Sequence, residues 1–451
     1  MVELPIKLYI QQLAKMAKDA ARPLAVIPSS LRRQAIQDMA LQLEERREEV
    51  LEANKQDVDN IPKDLAPEAY RKTLERVRFT EEDLHTLIAE IRAIAEAPDP
   101  VGEITSMWST VDGLQTGRMR VPIGVIAVIS EYGPNVTAES MAMCVKTANA
   151  CIVRGGRDWF VTNTTVAKLL SEAAERVGLP KGAVGFIDRP EREGVLDLAR
   201  MPQYVNAVIP RGGRALRKAV LEQSRVPILG YDGGASSIYI DRDVDIPLAQ
   251  SLVVNAKVQD PSASNAVDTV LVHQAIARQL LPGLVRRLLT EFKVELRGCP
   301  KTTSLMGLME MTGHKGIQPA TEDDWGQKYQ TLTLTIKIVG DLDEGIAHLA
   351  EYRPNHTVTI VTRDYPTAMR FIREVDASAV LVNASTRLNS GSQLGIGPEI
   401  GTNTTPFHLR GPLTLEALTI EKYVALGTGQ LRHPHPVPQA YQDAMMLSPK
   451  F

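Results

Sequence analysis

Between residues 125 and 187 three continuous apolar runs recur, Val125–Ile129, Ala150–Val153 and Val184–Ile187, separated by helix-like stretches at Ala138–Thr147 and Asn163–Val177. A run without polar alternates is buried on both faces. Such strands, joined by helices of about ten to fifteen residues, imply a parallel sheet covered on both sides. A second block of the same kind follows Asp245, with Thr269–Val272, Thr333–Val339, Val358–Val361 and Ala379–Val382 as strands. Ala275–Leu289, Leu342–Ala350 and Tyr365–Glu374 read as its helices. A strand at Val205–Ile209 completes the first block, and the chain reads as an α/β protein with two such units.

From Ile6 to Ile61 apolar residues recur at three and four, as in Leu8, Leu13, Met16 and in Ile36, Met39, Leu43, Val50, Leu51, which predicts amphipathic helices. Pro23 and the Pro28-Ser29-Ser30 step break them, with Ser30 the expected N-cap. Thr80-Glu81-Glu82-Asp83 opens a further helix in capping-box style, ending near Ala97. Strands at Thr105–Val111 and Leu114–Val121 flank Asp112-Gly113, a hairpin signal. From Gly427 onward the chain reads as an extended surface arm, a reading preferred to a metal role for His433 and His435.

At 451 residues and 44% apolar content the chain can bury two or three domains. A formal charge of -3 and a pI near 6.3 argue against nucleic acid as a partner and favour a small molecule or a protein. Three cysteines, Cys144, Cys151 and Cys299, are an odd number without metal-ligand spacing, which fits a reducing compartment. Met1-Val2-Glu3-Leu4-Pro5 lacks a charged segment leading into an apolar one, and no apolar run reaches about 18 residues. A cytoplasmic protein with no signal peptide, no membrane span and no metal is expected.

Arg154-Gly155-Gly156 follows one strand, and Pro210-Arg211-Gly212-Gly213 follows another. Glycines at the carboxyl end of a parallel strand let backbone N–H groups approach a phosphate, and the next helix adds its dipole. Either turn alone reads as a plain turn. Together, at equivalent strand ends, they make a dinucleotide site an equal reading.

Further strings occur in a definite order: Pro134-Asn135-Val136-Thr137, Lys146-Thr147-Ala148-Asn149-Ala150, Gly178-Leu179-Pro180, Asn255-Ala256-Lys257, Asn265-Ala266, Asn383-Ala384-Ser385-Thr386-Arg387 and Gly411-Pro412. This order resembles the gamma-glutamyl phosphate reductase family, a branch of the aldehyde dehydrogenase superfamily, from about residue 10 to 425. The resemblance implies an aldehyde dehydrogenase-like α/β fold. Its expected parts are a Rossmann-type dinucleotide-binding domain (1–104 and 122–255), a catalytic-type domain (256–395), and an oligomerisation flap with a C-terminal arm (105–121 and 396–451). In that family NADPH reduces an enzyme-bound glutamyl thioester to glutamate semialdehyde on the route to proline. By position, Asn135 would donate to the oxyanion, Arg154, Gly155, Gly156, Pro210, Arg211, Gly212 and Gly213 would hold NADP, and Asn383, Ser385, Thr386 and Arg387 would line the substrate end. Thr137, Lys146 and Glu131 are further candidates whose structural readings, as caps or charge partners, are preferred. A dimer or tetramer is implied, and an active reductase or glutamate 5-kinase is a candidate partner.

The same comparison exposes departures. Ser264 stands where the family keeps its nucleophilic cysteine, and a hydroxyl attacks a carbonyl only with a base beside it. No His lies between Ser251 and Thr269. Gly133 replaces an arginine, Ser236-Ser237 replaces a Cys-His pair, and Ser390 replaces an aspartate. Lys328 aligns with the glutamate that receives the nicotinamide ribose, and lysine has only donors. Tyr132, Tyr231 and Asp232 would surround the altered pocket. The favoured expectation is a paralogue with lost or strongly reduced reductase activity that acts as a ligand-binding, regulatory or scaffold protein. An active reductase using Cys144 or Cys151, and a serine acyl hydrolase using Lys257 or Lys328 as base, remain as alternatives.

Overall fold

The computed structural model describes residues 4–191, 196–230, 233–308, 316–432 and 439. The expected arm from His433 onward, and Tyr231 and Asp232, lie outside these residues except for Gln439. The chain opens with helices α1 (Ile6–Leu24), α2 (Ser29–Glu45), α3 (Arg47–Asp59), α4 (Pro67–Val77) and α5 (Glu81–Glu96). Thr80 and Asp83 form the expected reciprocal capping box on α5. Ser30 is not an N-cap: α2 begins at Ser29 after Pro28, without a side-chain cap, because proline's fixed φ already sets the entry. Pro23 sits in the last turn of α1 and does not break it earlier.

Next come β1 (Ile104–Ser109), β2 (Gln115–Pro122), β3 (Val125–Ser130), α6 (Pro134–Lys146), β4 (Ala150–Arg154), α7 (Phe160–Val177), β5 (Val184–Phe186), β6 (Ala207–Arg211) and α8 (Arg214–Gln223). Strands β5-β4-β3-β6 make a four-stranded parallel sheet. Every residue of β3 and β4 is buried, as their unbroken apolar character requires. Helices α1, α6 and α7 pack on this sheet, and α2, α3 and α5 form a layer over α6 and α7.

The second half contains β7 (Ser236–Ile240), α9 (Ile246–Val258), β8 (Thr269–His273), α10 (Gln274–Thr290), β9 (Glu295–Gly298), α11 (Pro300–Gly307), β10 (Gln318–Pro319), β11 (Thr333–Val339), α12 (Leu342–Tyr352), β12 (Thr357–Val361), α13 (Tyr365–Glu374) and β13 (Ala379–Val382). They build a seven-stranded sheet in the order β10-β9-β11-β8-β7-β12-β13. Alternation assigns its two faces. Ile238, Ile240, Val270 and Val272 join one core with Leu280 and Leu284 of α10, while Tyr239 and Leu271 join another with Leu349 and Phe371. The boundary expected at residue 255 is therefore displaced: β7 pairs with β8 and β12, so residues 236–255 contribute to the second sheet. Two leading serines gave β7 the look of a loop.

The last strands are β14 (Glu399–Asn403), β15 (Gly411–Thr414) and β16 (Thr419–Leu426). Only β16 joins β1 and β2, in the order β1-β2-β16. Contrary to a flap built from 105–121 and everything after 396, β14 and β15 pair with each other, and Ile400 and Leu413 enter the core of the four-stranded unit. The hairpin turn is longer than Asp112-Gly113 alone suggests. Gly113 N–H donates to Thr110 O, and Gly113 has φ +79°, so the strands end at Ser109 and Gln115. Among the described residues no helix is long and apolar enough to cross a membrane, and no His, Cys, Asp or Glu cluster could hold a metal.

Candidate active site

Ser264 lies in the turn between α9 and β8, and this turn is fastened from the far side of the cavity. Arg387 donates through Nε to Gln259 Oε1 at 2.7 Å and through Nη1 to Asn265 Oδ1. Asn265 Nδ2 in return donates to Arg387 O (3.2 Å) and Asn389 O (3.1 Å). A cavity of about 680 Å³ opens over the turn, lined by Ser264, Asn265, Arg387, Arg211, Tyr132 and Glu399 among others. Ser264 Oγ makes no hydrogen bond to a described residue. Glu399 Oε2 is buried without a partner, and burial raises the Glu399 carboxyl to about 7, against the opposing pull of the Gly391 N–H and Arg211.

The two lysines considered as bases are directed elsewhere. Asp268, fully buried at the foot of β8, accepts from the N–H groups of Ser236 (3.0 Å) and Tyr329 (3.1 Å). Lys328 Nζ reaches Asp268 at 3.0 Å and Ala266 O at 2.8 Å, and Lys257 Nζ lies 3.9 Å from the same carboxylate. Burial lowers both lysines, Lys257 to about 8, with Asp268 opposing in each case; the Lys328 cation adds to the fall at Lys257, and Arg387 adds to the fall at Lys328. Unfolded lysine titrates near ~10.4. The folded chain therefore binds fewer protons than the unfolded chain between these values, and stability gains as pH rises through that window. Urea midpoints should climb from about pH 8 to ~10.4 in the native protein and lose this component in Lys257→Met; superimposable profiles would refute the assignment.

The turn after β6 has the expected glycines in the expected place. Gly213 caps α8, and a Cβ on Gly212 would stand 2.5 Å from Glu131 Oε2 and 2.8 Å from Leu216 Cδ2, so a side chain there would have to displace both. Beyond it a second cavity of about 580 Å³ shares Tyr132, Gly212 and Gln330 with the first and carries Arg217, Lys218 and Lys328. Arg211 lies 5.6 Å from the centre of the Tyr132 ring, and Pro210 is a buried residue of β6. Arg154-Gly155-Gly156 serves packing: Arg154 is buried over Phe160, a Cβ on Gly155 would meet Asn163 at 2.4 Å, and Gly156 N–H donates to Tyr132 O. None of the three lines either cavity.

Asn135, at the start of α6, lines a separate cavity with Trp159 and Arg78, on which Tyr132 and Arg211 also border. Within the 383–387 string only Arg387 reaches the Ser264 cavity. Asn383 has φ +53° and bridges the N–H and O of Thr362, Ser385 accepts from Arg387 N–H, and Thr386 is fully buried. Thr137 and Lys146 have structural roles, though not as a cap or a charge partner: Thr137, inside α6, donates to Asn163, and the buried Lys146 donates to Ala95 O. The thiols are remote from the cavity: Cys144 and Cys151 are fully buried in α6 and β4, where mutual hydrogen bonding and then burial hold the Cys144 thiol well above its usual range. Cys299 is buried beside Thr302 Oγ1 at 3.2 Å. Sequence reasoning missed Glu399 and Asp268; the charge interrupting the apolar run at Asp268 was a usable signal, whereas Pro398-Glu399-Ile400 offers none.

At the turn after β6 the space over Gly212 is taken by the Glu131 carboxylate, whose Oε2 would lie 2.5 Å from a Cβ there, so a dinucleotide's phosphates fit this end once that flexible side chain swings aside. Lys328, which the family resemblance puts in the place of the ribose acceptor, has only donors, and these are directed to Asp268 and Ala266.

Two parallel sheets with cavities at strand ends define a dehydrogenase-type α/β protein, and residues 8–303 match the aldehyde dehydrogenase family. That family generally uses NAD(P). The chain is 40% identical over 427 residues to gamma-glutamyl phosphate reductase of Thermodesulfovibrio yellowstonii, covering 95% of this chain and 99% of that protein. It is 41% identical over 424 residues to the enzyme of the same name from Caldanaerobacter subterraneus, covering 93% and 98%. The crystal structure of gamma-glutamyl phosphate reductase from Thermotoga maritima superposes with a TM-score of 0.88 at 37% identity, over 94% of this chain and 100% of that one. An engineered glycolyl-CoA reductase with bound NADP+ shares the fold at 15% identity and a TM-score of 0.66, over 92% and 97% of the two chains. The chain belongs to the gamma-glutamyl phosphate reductase family of proline biosynthesis, within the aldehyde dehydrogenase fold.

Proposed function

We propose that this chain is a family member whose NADPH-dependent reductase activity is lost or strongly reduced, and that it acts by binding a ligand or a partner. The observation that carries this reading is the isolation of Ser264 Oγ, with no base among the described residues in hydrogen-bond reach and the three thiols buried away from its cavity. An oxygen ester is a poorer hydride acceptor than a thioester, and an unactivated hydroxyl does not form one at a useful rate. Lys328, in the place of a ribose acceptor, works in the same direction. Retained features support ligand binding: the glycine cradle of the β6–α8 turn and a polar cavity carrying Arg211 and Arg387.

On this reading the protein is cytoplasmic, and its partners are copies of itself, an active reductase or glutamate 5-kinase. The three-stranded sheet exposes apolar residues on both faces, Trp108 with Tyr423 on one and Met107 with Leu426 on the other, and these are open to such contacts. Purified protein should show no NADP-dependent oxidation of glutamate semialdehyde above buffer, while NADPH titration followed by nicotinamide fluorescence reports whether the cofactor is held. Turnover at ordinary dehydrogenase rates, on the order of 1–10³ s⁻¹, would end this proposal.

A further inference from the structure

Register decides where Glu131 stands. Ser130 pairs with Arg211 across β3 and β6, and the next N–H, that of Glu131, donates to Arg211 O at 2.8 Å. The side chain thus leaves the strand over the turn that leads into α8. Its Oε2 accepts from the Gly213 N–H at 2.7 Å, and a Cβ on Gly212 would stand 2.5 Å from that same oxygen. Gly213 is the N-cap of a ten-residue helix, so the carboxylate takes a backbone donor that the helix itself does not use and faces the positive end of the helix dipole. In an open parallel α/β sheet this is the place that receives a dinucleotide's phosphates. The cavity beyond, with Arg217 and Lys218 on α8 and Lys328 opposite, is shaped for the remainder of such an anion.

We propose that Glu131 is a resident anion of the phosphate seat, so that a dinucleotide diphosphate enters the β6–α8 turn only as the carboxylate leaves the Gly213 N–H. Glu131 thereby sets the affinity for the cofactor without touching the reacting atoms. The geometry makes displacement feasible: Glu131 is exposed, among the described residues its side-chain hydrogen bond is the one from Gly213, and its backbone is held independently by β6. Repulsion between two anions and competition for one donor oppose NADPH, whereas α8 keeps a cap in either state. The proposal rests on the reading of the second cavity as a retained nucleotide groove.

The test uses the full chain and NADPH, with nicotinamide fluorescence as readout. Glu131→Gln keeps an acceptor for Gly213 and removes the charge, and it is expected to lower the Kd for NADPH roughly tenfold, the scale of one charged hydrogen bond at a helix terminus. Inorganic pyrophosphate should compete with NADPH more effectively in Glu131→Gln than in the native protein, and the melting temperature of that variant should stay near the native one. Glu131→Ala should also bind NADPH more tightly while melting lower, because it loses the cap. An affinity unchanged or weakened in Glu131→Gln, or no saturable binding by either variant, overturns the proposal. A reductase assay on native protein reports separately on the loss of activity, so failure of one reading is not mistaken for failure of the other.

Discussion

Ser264→Cys should form a covalent adduct with an activated glutamyl ester at least about 10³-fold faster than the native protein, because a thiol near pKa ~8.5 is a few per cent thiolate at neutral pH and an unassisted serine has no comparable nucleophilic form. The variant should also show one fast-reacting thiol toward a disulfide reagent where the native protein shows none, since Cys144, Cys151 and Cys299 are all buried. Intact-mass analysis after exposure to the ester locates the adduct. Arg387 and Asn265 hold the turn in either protein, so the new thiol inherits a fixed position. Equal acylation of the two proteins would show that Ser264 is already activated and would remove the basis for a lost reaction.

Asp268→Asn is expected to destabilise the protein by about 3–5 kcal/mol, the range found when one partner of a buried ion pair is removed. The carboxylate is fully buried and is shared by Lys257, Lys328 and the N–H groups of Ser236 and Tyr329, so its loss leaves one buried and one half-buried ammonium group facing a neutral amide. Because it also joins β7 to β8 through the Ser236 N–H, unfolding should remain cooperative in the seven-stranded unit while its urea midpoint falls. A loss under about 1 kcal/mol would mean that the lysines deprotonate at little cost and that the cluster is peripheral to stability.

The fold was legible wherever one physical signal dominated. Ala379–Val382 and Tyr365–Glu374 were read to the residue, the first as an apolar run between polar neighbours, the second because Asp364 caps the helix and a proline sits in its first turn. Ser236–Ile240 was not, since a strand that begins with two serines after three glycines looks like a loop until β8 and β12 are seen beside it. In the site, the frame around Ser264 and Arg387 pointed to one cavity, and both line it. Arg154 and Asn135 lie elsewhere because a motif names a turn but not the direction in which a side chain leaves it. Glu131 was a candidate, but its place over the β6–α8 turn depends on the pairing of β3 with β6, and Glu399 depends on the pairing of β14 with β15; no local pattern encodes either.

The placement of β2 between β1 and β16 has a consequence for the order of assembly. One neighbour is reached through a short turn, but the other arrives only with residues 419–426, and Thr105 bonds Glu421 across 316 positions of sequence. During synthesis the hairpin must wait with a bare edge on the ribosome while both parallel sheets are being made, and closing so long a loop is slow relative to local pairing. The nascent chain is therefore most exposed to edge-to-edge association in that interval, before its final strand seals the ribbon.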